Sequence, residues 1–234
     1  MSNTPGLITA LAVFVGTHFL MSHPLRAPMV ARLGNAGFQI VYSVVSLGTF
    51  VWALLAYRET EDSAPLWAVG DLIWWIATVL MLIGSILFVG SVAGNPALPR
   101  PDAASLASAP ARGVLAITRH PMMWGFALWS LVHVMIAPMA NVIILCVAMA
   151  FLALVGSLGQ DRKKAVLMGE GWKDWESRTS FLPFANQLTG KASWASAWPG
   201  RTVLLLGTLL WLVATYGHSW FGIEGAGIWR WIWS

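Results

Sequence analysis

Six apolar runs constrain this chain more than anything else in it. Residues 6–21, 38–57, 72–90, 121–137, 142–158 and 202–218 contain no Asp, Glu, Lys or Arg. At 1.5 Å per residue each run is about 24–30 Å long as a helix, close to the ~30 Å hydrocarbon core of a bilayer. Backbone polar groups find no water inside lipid, so a spanning segment must satisfy them within itself. The sequence therefore predicts an all-α integral membrane protein with six transmembrane helices in one bundle. Composition agrees: 10% of residues are charged, against ~25% in soluble domains. Fifteen Trp suit the two membrane–water interfaces.

The whole chain, 1–234, reads as a single domain without repeats. A long loop rich in Ala, Ser and Pro follows the third run. A turn of a few residues makes the fourth and fifth helices an antiparallel hairpin. The long polar loop 159–200 is predicted to hold a short surface helix near 171–177. Lys and Arg set the orientation. Twelve of 14 lie in or beside loops one, three and five, and only Arg58 and Arg230 lie opposite. Both termini are thus expected outside, with loop 159–200 in the cytoplasm, in a bacterial inner membrane. Met1-Ser2-Asn3-Thr4-Pro5 lacks the basic region of a cleavable signal, so the first run is expected to remain as a helix. A net charge of +4 scattered through loops points to lipid rather than nucleic acid. One cysteine, Cys146, excludes an internal disulfide and a cysteine-rich zinc site.

Charge-free spans disfavour proton-coupled transporters and multi-ion channels, which need intramembrane carboxylates or lysines. The ionisable groups left in or near the spans are chiefly His18, His23, His120, His133 and His218. His18 and His133 sit inside apolar helices, where an imidazole is costly without a partner. Trp129 and Phe126, four and seven residues before His133, share its stripe. Gly125 allows close approach of a planar ligand or a neighbouring helix. His120 stands at the helix start beside Pro121. With Arg119 it is a candidate for binding a phosphate, propionate or anionic headgroup, or else a cap. His120 and His133 are thirteen residues apart, about 140° around a helix, so one small site does not use both. His23 precedes Pro24 and is expected in a loop; His218 closes the sixth helix.

Two neutral imidazoles from different helices suit axial ligation of haem iron. Zinc would want a third or fourth ligand, and neither carboxylate nor thiolate is placed to supply one. Arg26, Arg32 and Arg119 are positioned for haem propionates. By depth alone His133 pairs with either His18 or His218: counted from their helix starts, His18 and His133 differ by roughly 8 Å in a ~30 Å core.

These residues carry a family resemblance. Ile117-Thr118-Arg119-His120-Pro121, followed by Trp129-Ser130-Leu131-Val132-His133, resembles the core motif of the NnrU family, which includes the 15-cis-zeta-carotene isomerases. Gly16-Thr17-His18 with Leu25-Arg26, and Asp161-Arg162 with Gly169-Glu170 and Trp175-Glu176, agree in order. So do Arg178-Thr179-Ser180-Phe181-Leu182-Pro183-Phe184 and Tyr216-Gly217-His218. The resemblance implies haem b with axial ligands at His18 and His133. For the isomerase branch it implies haem-dependent cis–trans isomerisation of a polyene, with His133 and His18 as the catalytic pair and Arg26, Arg119, His120, Trp129 and Gly125 around the cofactor. For the NnrU branch it implies an association with nitrite and nitric oxide reduction. Ser130 departs from the pattern: isomerase-branch members often carry a cysteine there.

Three functions follow as expectations. The first is a haem enzyme acting on a hydrophobic polyene. The second is a non-catalytic haem protein handling haem or a small gas such as nitric oxide in support of denitrification. The third is an S-adenosylmethionine-dependent membrane methyltransferase. The last class also opens a helix with Arg-His-Pro and expects an acidic pair at the next helix end, where this chain has Gly159-Gln160-Asp161.

Overall fold

The computed structural model describes residues 3–60, 63–222 and 225–232, with no side chain for Phe221. Among these residues the only regular structure is helical. In chain order the elements are α1 (Thr4–Ser22), α2 (Arg26–Arg58), α3 (Asp71–Val92), α4 (Ala103–Ser108), α5 (Val114–Ile117) and α6 (Pro121–Ile136). Then come α7 (Ala140–Met168), α8 (Glu170–Arg178), α9 (Ala185–Leu188), α10 (Arg201–Gly217) and α11 (Trp229–Ile232), with 3-10 turns at Trp194–Ala197 and His218–Phe221.

α1, α2, α3, α7 and α10 with its following turn are long and apolar enough to cross a membrane, and α6 is a shorter apolar helix. All six predicted runs are helices. They pack in the spatial order α2, α1, α7, α6, α3, α10, each against the next. The outward sides carry exposed Val44, Leu47, Val147, Leu205 and Leu209, the pattern expected where lipid is the solvent. Between α3 and α6 the backbones nearly touch: a Cβ at Gly125 would lie 2.9 Å from the Gly84 carbonyl oxygen. Without a hydrophobic drive between helices in lipid, such close backbone packing is a main source of association.

Two helix boundaries and two loops differ from the sequence reading. α2 starts at Arg26 instead of residue 38, because residues 26–33 form a helical segment that breaks at Gly34, where φ is +69°. α7 runs to Met168 rather than ending at residue 158, so it carries Asp161 and Lys164 out of solvent. The third loop contains α4 and α5. The region after residue 158 is also far from an open loop. α8 is the short helix predicted near 171–177, but it is no surface helix: Trp172 and Trp175 on it are fully buried against Leu115, Ile117 and Ala107. Buried tryptophans thus make a small core on the basic face.

Candidate functional site

On the basic face, the Arg-His-Pro run is buried in the protein. Pro121 opens α6, as its missing N–H and fixed φ favour. That places His120 in front of the helix, with only 3% of its surface exposed. His120 Nε2 lies 2.7 Å from Asp161 Oδ1, and Arg119 Nε donates to Asp161 Oδ2 at 2.8 Å. Glu176 on α8 stands 3.7 Å from the Arg119 guanidinium. Around them the 178–184 loop is sewn to the α6 start. Thr118 Oγ1 and Trp124 Nε1 both donate to the Phe181 carbonyl, and the Arg119 N–H donates to the Ser180 carbonyl. The anion that Arg119 and His120 hold is therefore the chain's own Asp161. Asp161 engages Arg119 Nε and Nη2 together with His120 Nε2.

The membrane histidines are arranged differently. His18 Nδ1 is 2.7 Å from the Phe14 carbonyl, His133 Nδ1 is 2.7 Å from the Trp129 carbonyl, and His218 Nδ1 is 2.8 Å from the Ala214 carbonyl. Each partner is the residue one helical turn earlier. A carbonyl only accepts, so in all three rings Nδ1 carries the hydrogen and Nε2 keeps a lone pair. None of the three Nε2 atoms bonds to a described residue. An imidazole whose other ring nitrogen is fixed on a carbonyl in this way could ligate a metal.

His133 and His218 face each other, ring centroids 6.1 Å apart and 26° from parallel, and the Trp129 ring lies 4.2 Å from His133. His18 has other neighbours, Phe14 at 4.4 Å and Tyr42 at 5.5 Å. It lines a cleft of about 340 Å³ between α1, α2, α6 and α7, within the ~300–1,000 Å³ range of small-molecule sites. α6 joins the two places. Phe126, in the cleft wall, is seven residues before His133, hence on the same stripe of α6 and about 10 Å along it. Trp129 stands between. Beyond Trp129 on its own helix, the ring that His133 meets is His218, while His18 opens onto the same face of α6 nearer the basic side.

Of the other candidates, Gly125 serves the α3 backbone, the helix option of its two expected uses. Arg26 lies over the Phe38 ring at 5.6 Å, at the cleft's basic end. His23 ends α1 and packs on α7, where a Cβ at Gly159 would come within 2.5 Å of its Nε2. Ser130 is buried and its hydroxyl has no partner. Two roles escaped the sequence reading: Asp161 as the centre of the basic-face clasp, and Lys163 in the cleft. A signal for the second existed. Gly156, Gln160 and Lys163 recur at i, i+4 and i+7, one stripe of a helix, but it is visible only once α7 is known to continue past residue 158. Among the described residues no group of three or more His, Cys, Asp or Glu is arranged to hold a bare metal ion.

An all-α bundle of apolar helices, with half-buried imidazoles on and beside them and a charged clasp on one face, defines the class: a histidine-bearing integral membrane protein. More narrowly, the chain belongs to the NnrU protein family, which it matches over residues 6–225. Two curated relatives share a shorter stretch. The chain is 33% identical over 81 residues to the chloroplastic 15-cis-zeta-carotene isomerase of Arabidopsis thaliana, and 32% identical over 79 residues to that of Zea mays. Each match takes in 34% of this chain and 22% of the relative's length. No solved structure matches the chain.

Proposed function

We propose that this protein is a membrane isomerase of cis polyenes that works with haem b held by His18 and His133. One observation carries the reading: each membrane histidine has Nδ1 fixed on a backbone carbonyl and Nε2 left as an unused lone pair. The donor set fits a cofactor that brings its own macrocycle and asks the protein for one or two imidazoles. It does not fit a bare ion needing three or four ligands. When bound, the haem iron supplies electron density that lowers the bond order of a conjugated chain. The protein's part is to hold that iron from two helices, to present Trp129 and Phe126 as an apolar wall, and to exclude water. Cis–trans isomerisation moves no proton, in keeping with apolar runs that carry no carboxylate, lysine or arginine. The names of the two relatives support the substrate class, and sideways entry from lipid suits a hydrocarbon. The basic face is the cytoplasmic side of a bacterial inner membrane in this reading, with both termini outside. His218 is the rival second ligand, since its ring is the one beside His133.

A second reading, a non-catalytic haem or nitric oxide handling protein, draws support from Ser130, a hydroxyl where the isomerase branch often has a thiol. The methyltransferase reading loses its basis, because Asp161 is consumed by Arg119 and His120. The test is dark incubation of haem-loaded protein in liposomes with a 15-cis polyene, under oxidising and reducing conditions. The expected product is a trans isomer of unchanged mass in the reduced sample. Haem-loaded protein that leaves the polyene unchanged in both samples would transfer the assignment to the second reading.

A further inference from the structure

Resting on the proposed haem, we infer that the cleft beside His18 seats the cofactor's carboxylate edge, with Lys163 and His23 meeting it and Arg26 behind them. The cleft is graded. Its membrane end is lined by Phe14, Met123, Phe126 and Leu152, and its basic end by Ser22, His23, Gln160 and Lys163. A pure hydrocarbon has no use for the second end. The charge there is not neutralised within the protein: Arg26, Arg162 and Lys163 form no ion pair with a described residue. Asp161, the carboxylate on the same stretch of α7, has both oxygens occupied by Arg119 and His120. His23 registers the excess. Its imidazole is held below the ordinary range by burial, and then by the positive charges of Lys163 and Arg162.

Three features coincide in this one cleft: an imidazole with a free Nε2, aromatic walls, and in Lys163 a cation that pairs with no described carboxylate. A lipid tail under an anionic headgroup uses the walls and the cations but leaves His18 idle. Haem uses all three, since it joins an iron, a flat apolar ring and two carboxylates on one edge. α7 also leaves room. A Cβ built on Gly156, which lines the cleft, meets no atom within 4 Å. The assignment moves the carboxylate contacts from Arg119, which already holds Asp161, to a lysine two residues beyond Asp161 on the opposite side of α7.

The experiment uses the full-length protein in detergent, titrated with haem and with haem dimethyl ester, whose carboxylates are blocked. Binding is read from the Soret band. Charge-assisted contacts of this kind are worth about tenfold in affinity. The wild type is expected to prefer haem over the diester by about that factor. Lys163→Gln should erase most of the preference and Lys163→Glu should weaken haem further, with diester binding unchanged. Lys173→Gln, an exposed lysine paired with Glu170 on α8, should behave as wild type. Equal binding of haem and diester by the wild type overturns the inference while leaving the haem itself in place. So does wild-type haem affinity in Lys163→Glu, or a Lys163→Gln protein whose only change is loss of co-purified anionic lipid. A wild type that binds neither compound overturns the haem reading and this one with it.

Discussion

His120 and His133 lie thirteen residues apart, yet they represent two opposite uses of histidine. His120 is buried among charges and its Nε2 is spent on Asp161, which also binds Arg119. His133 lies in an apolar span with its Nδ1 spent and its Nε2 idle. The more motif-like of the two, in the Arg-His-Pro run, does structural work: it locks α6, α7 and the 178–184 loop together. The less conspicuous one has the atom left over for chemistry. What separates them is how their hydrogen-bonding capacity is used up, which residue type alone does not reveal.

The sharpest way to break this contrast is to remove Asp161. Asp161→Ala leaves Arg119 and His120 buried without their carboxylate, which costs about 3–5 kcal/mol. A large fall in Tm in detergent is expected, and an unchanged Tm would show that the clasp is not structural. His133→Ala should reverse the pattern, losing haem while changing Tm little. His18→Ala should at least weaken haem retention. If it does not, and His218→Ala does, the second ligand is His218. Gly156→Phe comes next: its side chain enters open space in the cleft, so haem retention should fall with Tm preserved. Full retention would place the cofactor elsewhere. The smallest effect belongs to Ser130→Ala. Deleting a buried hydroxyl with no partner should raise stability by up to about 1 kcal/mol, seen as a slightly higher Tm; a marked loss would reveal a hidden partner for Ser130.

Much of this molecule was legible from the chain. Runs without charge give spans because lipid tolerates nothing else, and the six helices follow at nearly the expected places. The last ten residues of α7 carry charges that mark a loop in sequence. They remain helical since Asp161 is neutralised by Arg119 and His120, and Lys164 donates to the carbonyls of Pro96 and Leu98. The clasp and the cleft's basic end do not show in the sequence, because both depend on α7 reaching the basic face. The free Nε2 atoms were legible only as histidines in apolar helices. Their tautomer needed the i−4 carbonyl contacts, which rotamers decide. The pairing of His133 with a neighbour was undecided by depth, and the structure sets His218 at its ring face.

The most direct test is the absorption spectrum of the protein after haem-supplemented expression, oxidised and reduced, for wild type, Asp161→Asn and His133→Ala. The account predicts a b-type Soret band in wild type and in whatever folded Asp161→Asn is recovered, and its loss from folded His133→Ala. A colourless wild type, or a band that survives in His133→Ala and disappears from folded Asp161→Asn, would contradict it.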